Sequence, residues 1–549
     1  MNHAKAVNDG ADPTDVIETA DGPVRGIRRD GMSQFLGIPY AAPPVAELRW
    51  RPPVSPQKWT QPLDAVEFGD VCAQDTTGLP GFGFHSETED CLYLNVFAPA
   101  EIPDERKLPV MFWIPGGGLY CGGSPGYDPS ALVLEGDVIL VSINYRLNIF
   151  GFFSHPAINA EDHWSGNYGL MDQIFALEWV RRNIERFGGD PDNVTIFGES
   201  AGAISVLAHV ASPLSSGLFH RAILQSCSVA AVSPTTGLAS AEATGVALAT
   251  AAGCTDQTPE NLRNLSTREL MAADAMAEQL LGGGKFHVGL LVDGVVIPES
   301  MPELFATGRF NRVPTMNGVN KDEFAWFQAM LEVNTGQVIP EEAYAQVVAG
   351  TFAALAPSPL LGAQIPADLM PEIVDRYPAS AYPSPDRALA AAIGDAGFIS
   401  AGGRETTRIL RRFVPEVYAY EWDVPDSPVS WEPVSFPYGS GHTQEIQYLF
   451  PGFSGGEGVS HELSEEQQRL ARQMVKYWTT FARRGNPNAE DPTAPQWPAY
   501  DPAADNFLSL SLPEPHIISA YGATHHCDFW DQARERGNAE AVAGEPVNA

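Results

Sequence analysis

Val194-Thr195-Ile196-Phe197-Gly198-Glu199-Ser200-Ala201-Gly202 decides how this chain of 549 residues is read. A run of β-branched and aromatic residues ends in Gly-x-Ser-x-Gly, and an apolar run from Ile204 to Val210 follows at once. Strand, strained turn and helix in that order are the sequence form of a nucleophile elbow. Glycines on both sides let the backbone turn tightly and clear space, so that a serine hydroxyl stands exposed at the turn. Ser200 is the candidate nucleophile.

The pentapeptide pattern alone is weak. With 51 glycines in the chain, about 0.3 matches are expected by chance, so context has to separate one match from another. Three occur: Gly122-Gly123-Ser124-Pro125-Gly126, the stretch around Ser200, and Gly452-Phe453-Ser454-Gly455-Gly456. Ser124 and Ser454 sit in glycine-rich loops with no helix pattern behind them. Only Ser200 lies between a strand signal and a helix signal.

Outward from that stretch, strand and helix signals alternate. Leu108–Pro115 and Val138–Asn144 read as short, largely apolar strands of the kind buried on both faces of a parallel sheet. Asp172–Phe187 carries apolar residues at helical spacing and stops at Gly188-Gly189. Further strands are expected at Val194–Phe197, Ala222–Gln225, Val313–Gly318 and Val417–Glu421. The alternation predicts an α/β fold with the nucleophile at the carboxyl end of a central strand. Residues 15–535 are expected to form one domain. The Ala- and Pro-rich segment at about 325–410 reads as a cap-like helical insertion over the active site, and 536–549 as a disordered tail.

Composition bounds the function. Hydrophobic residues make up 44% and charged residues 18%, which suits a globular protein with a sizeable core. The net charge of -35 argues against nucleic acid and anionic membrane partners, since both would be repelled. The excess acidity favours neutral or cationic small molecules, and fits a salt-adapted host equally well. Met1–Asp12 contains no apolar signal segment, and no apolar run reaches the roughly 18 residues of a membrane span. A soluble, cytoplasmic protein is expected, with monomer and dimer both open. The cysteines at 72, 91, 121, 227, 254 and 527 include no CxxC pair, and His525-His526-Cys527 has poor spacing for a shared metal. No metal or cofactor is expected.

A serine nucleophile needs a base, an acid to orient the base, and donors for the oxyanion. In α/β-hydrolases the chain order is Ser, then Asp or Glu, then His. Asp322 and Glu323 follow a strand, and either would serve as the acid. His442, in the glycine-rich loop Tyr438-Gly439-Ser440-Gly441-His442, is the favoured base over His461, His516, His525 and His526. Gly116-Gly117-Gly118, directly after a strand, fits the oxyanion loop, with a further donor expected at the residue after the nucleophile.

Glu89-Asp90-Cys91-Leu92-Tyr93-Leu94-Asn95-Val96 and Phe197–Gly202 together resemble the two signatures of the type-B carboxylesterase family, which includes carboxylesterases, cholinesterases and some lipases. The likeness runs from about residue 15 to 530, through Gly37–Pro44, Asn144-Tyr145-Arg146, Gly166–Gln173, Phe187–Pro191 and Gly485–Asn488. It implies the α/β-hydrolase fold and a triad of Ser200, Glu323 and His442. It also implies oxyanion donors on Gly117, Gly118 and Ala201, with Glu199 beside the site and Ser226 as a buried polar support. Arg49 with Glu89, and Arg146 with Asp172, resemble the family's structural ion pairs. Cys72 and Cys91 match its first disulfide, worth roughly 3 kcal/mol if formed, though a cytosolic chain would leave it reduced. Cys254 matches half of the second disulfide, but Asn261 stands near its partner position. Gly81-Phe82 occupy the stretch where cholinesterases carry a choline-binding Trp, which speaks against cholinesterase activity. Small residues at Val229–Val232 imply a roomy acyl site. The expectation is a serine carboxylesterase acting on short to medium acyl esters; the alternatives are a lipase working at an interface and a non-catalytic adhesion member of the fold.

Overall fold

The computed structural model describes residues 12–77, 81–103, 106–161, 163–164, 166–229, 236–281, 289–355, 365–488 and 495–544. Its centre is the pair of strands β5 (Leu108–Ile114) and β6 (Ile139–Ile143), buried at every position. Near-continuous apolar runs of this kind hold only where both faces of a sheet are covered. Before them come β1 (Asp12–Glu18), β2 (Pro23–Arg29), β3 (Met32–Pro39) and β4 (Tyr93–Pro99). After them come β7 (Gly189–Glu199), β8 (Arg221–Gln225), β9 (Thr315–Asn320), β10 (Val417–Asp423), β11 (Phe507–Ser511) and β12 (His516–Ile518). Their order across the sheet is β1-β2-β3-β4-β6-β5-β7-β8-β9-β10-β11-β12, with the two-residue strand Leu63–Asp64 beside β2.

The sheet is antiparallel from β1 to β4 and again where β4 meets β6. Every pairing from β6 to β11 is parallel. The expected α/β architecture is therefore present: it is an α/β-hydrolase fold, and the parallel strands deliver their carboxyl ends to one edge. Register carries this to single residues, with Ile114 opposite Gly198, Glu199 opposite Gln225, and Gly318 also opposite Gln225.

Helices cover both faces. The expected helix before β7 runs as α1 (Tyr168–Asn183) and finishes in a 3₁₀ turn, Ile184–Phe187. Helix α2 (Ala201–Ala211) follows the elbow and is almost wholly buried. The segment read as a cap begins with α3 (Glu323–Thr335) and ends with α4 (Ser400–Arg411). Helix α4 lies on the sheet rather than apart from it: Asn317 of β9 donates to the Gly403 carbonyl at 3.0 Å and to the Thr407 hydroxyl at 2.8 Å. Residues 356–364 of that segment lie outside the described residues. Helix α5 (Glu465–Arg484) opens on a capping box made by Ser464 and Gln467.

The expected structureless tail is corrected. Helix α6 runs from Cys527 to Gly544, because Asn538-Ala539-Glu540-Ala541-Val542-Ala543 is rich in strong helix formers; residues 545–549 lie outside the described residues. Among the described residues no helix is long and apolar enough to cross a membrane. Cys72 and Cys91 are disulfide-bonded, while Cys121, Cys227, Cys254 and Cys527 are buried and outside any disulfide.

Candidate active site

Strand β7 ends at Glu199, and Ser200 turns the chain with φ 56° and ψ -123° before α2 begins. A non-glycine residue at positive φ carries strain that surrounding contacts must hold. The Ser200 N–H donates to the Gln225 carbonyl at 2.9 Å, and the Ile204 N–H to the Ser200 carbonyl at 2.9 Å. The flanking glycines answer to close approach: a Cβ on Gly198 would lie 2.7 Å, and one on Gly202 2.1 Å, from the Ile114 carbonyl oxygen. Only bare backbone fits between β5 and α2.

Strand β9 ends at Asn320, and Asp322 and Glu323 part company there. Asp322 pairs with Arg387 and accepts from the Ser440 N–H at 2.9 Å, which ties down the loop that carries the histidine. Glu323 turns inward, where its Oε2 lies 2.6 Å from His442 Nδ1 and its Oε1 accepts from the Asn320 N–H at 2.8 Å. The His442 N–H also reaches the Glu323 carbonyl at 3.3 Å. Both side chains are buried. Trp326 and Phe327, one turn into α3, pack on the imidazole with ring centroids 6.0 and 5.0 Å away, and Phe82 and Trp431 extend that aromatic wall.

The other ring nitrogen, His442 Nε2, lies 3.2 Å from Glu199 Oε1, in a poor line for a hydrogen bond, since that oxygen has no hydrogen-bond partner among the described residues. Ser200 is half-buried, and its hydroxyl has no hydrogen bond to His442 among the described residues. Contacts of this kind commonly close only around a substrate. Burial pushes the Glu199 carboxyl well above the ordinary carboxylate range, with His442 opposing and Glu445 and Glu323 reinforcing the shift. Burial alone would lower His442, but the charges of Glu199 and Glu323 and the hydrogen bond to Glu323 reverse that and lift it to about 9.

The oxyanion candidates stand at the ends of β5 and β7. Gly117 and Gly118 adopt φ 110° and 67°, and their N–H groups have no acceptor among the described residues. Ala201 is the first residue of α2, where backbone N–H groups lack intrahelical acceptors and the helix dipole favours negative charge. Ser226 follows β8 at φ 58° and donates its N–H to the Gly318 carbonyl at 2.8 Å, while its buried hydroxyl has no partner among the described residues.

A layer beneath the site was not predicted. Glu445 is fully buried and accepts from Gln225 at 3.2 Å and from Asn320 at 2.7 Å, and Gln225 in turn accepts from the Trp478 indole at 3.1 Å. Burial raises the Glu445 carboxyl, and the Glu323 charge adds to it. These are ordinary polar residues in sequence; only their convergence from four segments makes them notable.

The remaining candidates are scaffold. Arg49 meets Glu89 at 2.5 and 2.8 Å, and Arg146 meets Asp172 at 2.7 and 2.8 Å, all buried. Ser124 accepts from Asn95 at 2.9 Å inside the core, and Ser454 stays in its loop. His461 and His516 are exposed, and His525 is buried between two other carboxylates. Of the small residues expected at the acyl site, Val229 is buried, and Ala230, Ala231 and Val232 lie outside the described residues. Among the described residues no group of three or more His, Cys, Asp or Glu side chains is arranged to hold a metal ion.

Comparison with known proteins identifies the family. The model of the carboxylesterase family matches residues 13–530. Human cocaine esterase is 34% identical over 531 residues, covering 92% of this chain and 87% of that protein. The para-nitrobenzyl esterase of Bacillus subtilis (strain 168) is 34% identical over 510 residues, covering 90% of this chain and 94% of that protein. Among solved structures, a thermophilic PNB esterase superposes with a TM-score of 0.76 at 32% identity, covering 92% of this chain and 97% of its own. A family match over nearly the whole chain, joined to an α/β-hydrolase sheet, settles the assignment: the chain belongs to the carboxylesterase family and is a carboxylic ester hydrolase.

Proposed function

We propose that this protein is a serine carboxylesterase for esters of short to medium acyl chains, and that it works through an acyl-enzyme on Ser200. The reading is carried by the buried 2.6 Å contact between His442 Nδ1 and Glu323 Oε2 beside the strained Ser200 turn. His442 takes the Ser200 proton at Nε2 as Oγ attacks the ester carbonyl, and Glu323 orients the ring and stabilises the imidazolium. The N–H groups of Gly117, Gly118 and Ala201 receive the tetrahedral oxyanion, each worth about 2.7–4 kcal/mol by the general behaviour of such donors. His442 then protonates the departing alcohol, and water repeats the sequence to release the acid. Asp322 acts on the loop and not on the chemistry. The aromatic wall of Phe82, Trp326 and Trp431 would shelter an apolar alcohol, which accords with the para-nitrobenzyl and cocaine ester activities named in two relatives.

The test is hydrolysis of p-nitrophenyl esters from acetate to palmitate, with Ser200→Ala as control. Activity that peaks at short or medium chains and disappears in Ser200→Ala is expected. A maximum at palmitate would replace this reading with a lipase. Full activity in Ser200→Ala would remove the proposed nucleophile.

A further inference from the structure

The disulfide Cys72–Cys91 closes a loop with a sequence separation of 19, and one side chain near its start ties that loop to a turn of the glycine loop. Gln74 is fully buried. Its Oε1 accepts from the Gly122 N–H at 2.8 Å and from the Phe84 N–H at 3.1 Å. Its Nε2 donates to the carbonyls of Gly122 and Cys72, both at 2.9 Å. A primary amide offers two donors and two acceptor lone pairs, so every one is used. Two of the four grip both backbone groups of one residue, Gly122, as a neighbouring strand would.

Gly122 is where such a grip matters. It sits at φ 106°, and a Cβ there would lie 2.4 Å from the Gly116 carbonyl oxygen, so the two ends of the turn 116–122 touch through bare backbone. Inside the turn, the N–H groups of Tyr120 and Cys121 donate to the Gly117 carbonyl at 2.9 and 3.0 Å. That carbonyl shares a planar trans peptide with the Gly118 N–H, and the two point in opposite directions. Holding the carbonyl into the turn therefore aims the Gly118 N–H out of it.

We infer that Gln74 is a positioning residue for ester hydrolysis: its side-chain amide locks the turn that aims the Gly117 and Gly118 N–H groups at the oxyanion of the Ser200 adduct. This rests on the proposed reading of Ser200 and its oxyanion donors. Gln74 itself touches no reacting atom. A residue of this kind is felt mainly in the transition state, since the donors must meet the oxyanion and not the ground-state carbonyl, and a misplacement of about 1 Å costs on the order of 100-fold.

The experiment compares Gln74→Leu and Gln74→Glu with the unaltered protein and Ser200→Ala on p-nitrophenyl acetate, after circular dichroism and thermal melting have verified folding. It also measures inhibition by an alkyl trifluoromethyl ketone. That probe forms a hemiketal when Ser200 Oγ adds to the ketone carbon and the serine proton passes to His442, leaving an oxyanion in the same place. Expected are a fall in kcat of about 10- to 100-fold with KM within about twofold, inhibitor affinity weakened in parallel, and, for Gln74→Leu, an unmoved acid limb of the pH profile. Gln74→Glu should recover part of the loss at low pH, where a protonated carboxyl donates again. Unchanged kcat in folded variants, or a loss confined to KM with inhibitor affinity intact, overturns the inference, as does failure of both variants to fold. If Ser200→Ala stays active, it is the proposed nucleophile that fails; if only the Gln74 variants behave as wild type, the fault lies with this inference alone.

Discussion

His442 is bracketed by two carboxylates, Glu323 at 2.6 Å on Nδ1 and Glu199 at 3.2 Å on Nε2. A general base must be neutral to act, so the acid limb of kcat/KM follows the pKa of His442 in the free enzyme. Glu199→Gln keeps the shape of the side chain and removes one of the charges that lift His442 to about 9. Its acid limb should therefore move to lower pH, while Ser200 and Glu323 stay in place. A pH profile of p-nitrophenyl acetate hydrolysis reads this directly. An unmoved limb would mean that Glu199, itself pushed upward by burial, is already neutral across the working range. At this scale the local signals were legible and the long-range ones were not. Ser200 announces itself within nine residues, because strand, turn and helix are consecutive. Asp322 and Glu323 could not be told apart from their neighbours: what separates them is Arg387, 65 residues later, which takes Asp322, and His442, 119 residues later, which takes Glu323. Gln74 and Glu445 had no signal for the same reason.

At the scale of elements, chain geometry explains what was read correctly and what was missed. Strands buried on both faces betray themselves by composition, so β5 and β6 were expected within a residue or two of where they lie. The end of α6 was missed because alanine and glutamate make a segment look simple while favouring a helix. What anchors the start of that helix is a buried imidazole. His525 Nδ1 meets Asp395 Oδ1 at 2.5 Å and Nε2 meets Glu421 Oε1 at 2.6 Å, joining α6 to β10 and to the turn that precedes α4. Tyr377 donates to the other Asp395 oxygen at 2.9 Å, and Trp530 donates to Tyr377 at 2.8 Å. Burial alone would lower His525, but Asp395 and Glu421 overcome it and raise it from 6.5 to about 10. A folded pKa above the unfolded one gives stability that is full below about 6.5 and is lost as pH rises through about 10. His525→Gln should lower stability at pH 6 and flatten the decline between pH 6.5 and 10. Urea midpoints at pH 6, 8 and 10 test it, and equal slopes for both proteins would show that the clamp is not charged.

For the whole molecule, the net charge of -35 leaves the chemistry unchanged but bears on how substrates arrive. A field of one sign raises the local concentration of opposite charges and repels like ones, and added salt shortens its reach. The Debye length falls from about 30 Å at 0.01 M to about 3 Å at 1 M ionic strength. Two esters of the same acyl group and similar size, one with a quaternary ammonium alcohol and one with its neutral isostere, isolate this effect from the pocket. The ratio of their kcat/KM values should favour the cationic ester at low salt and fall severalfold by 1 M, while kcat for each changes little. An anionic isostere should show the reverse slope. The absence of a choline-site Trp at Gly81-Phe82 sharpens the comparison, because a preference from cation–aromatic contact would persist at high salt, whereas one from the acidic surface would not. A ratio that stays flat across ionic strength would restrict the negative charge to solubility and leave substrate choice to the walls around His442.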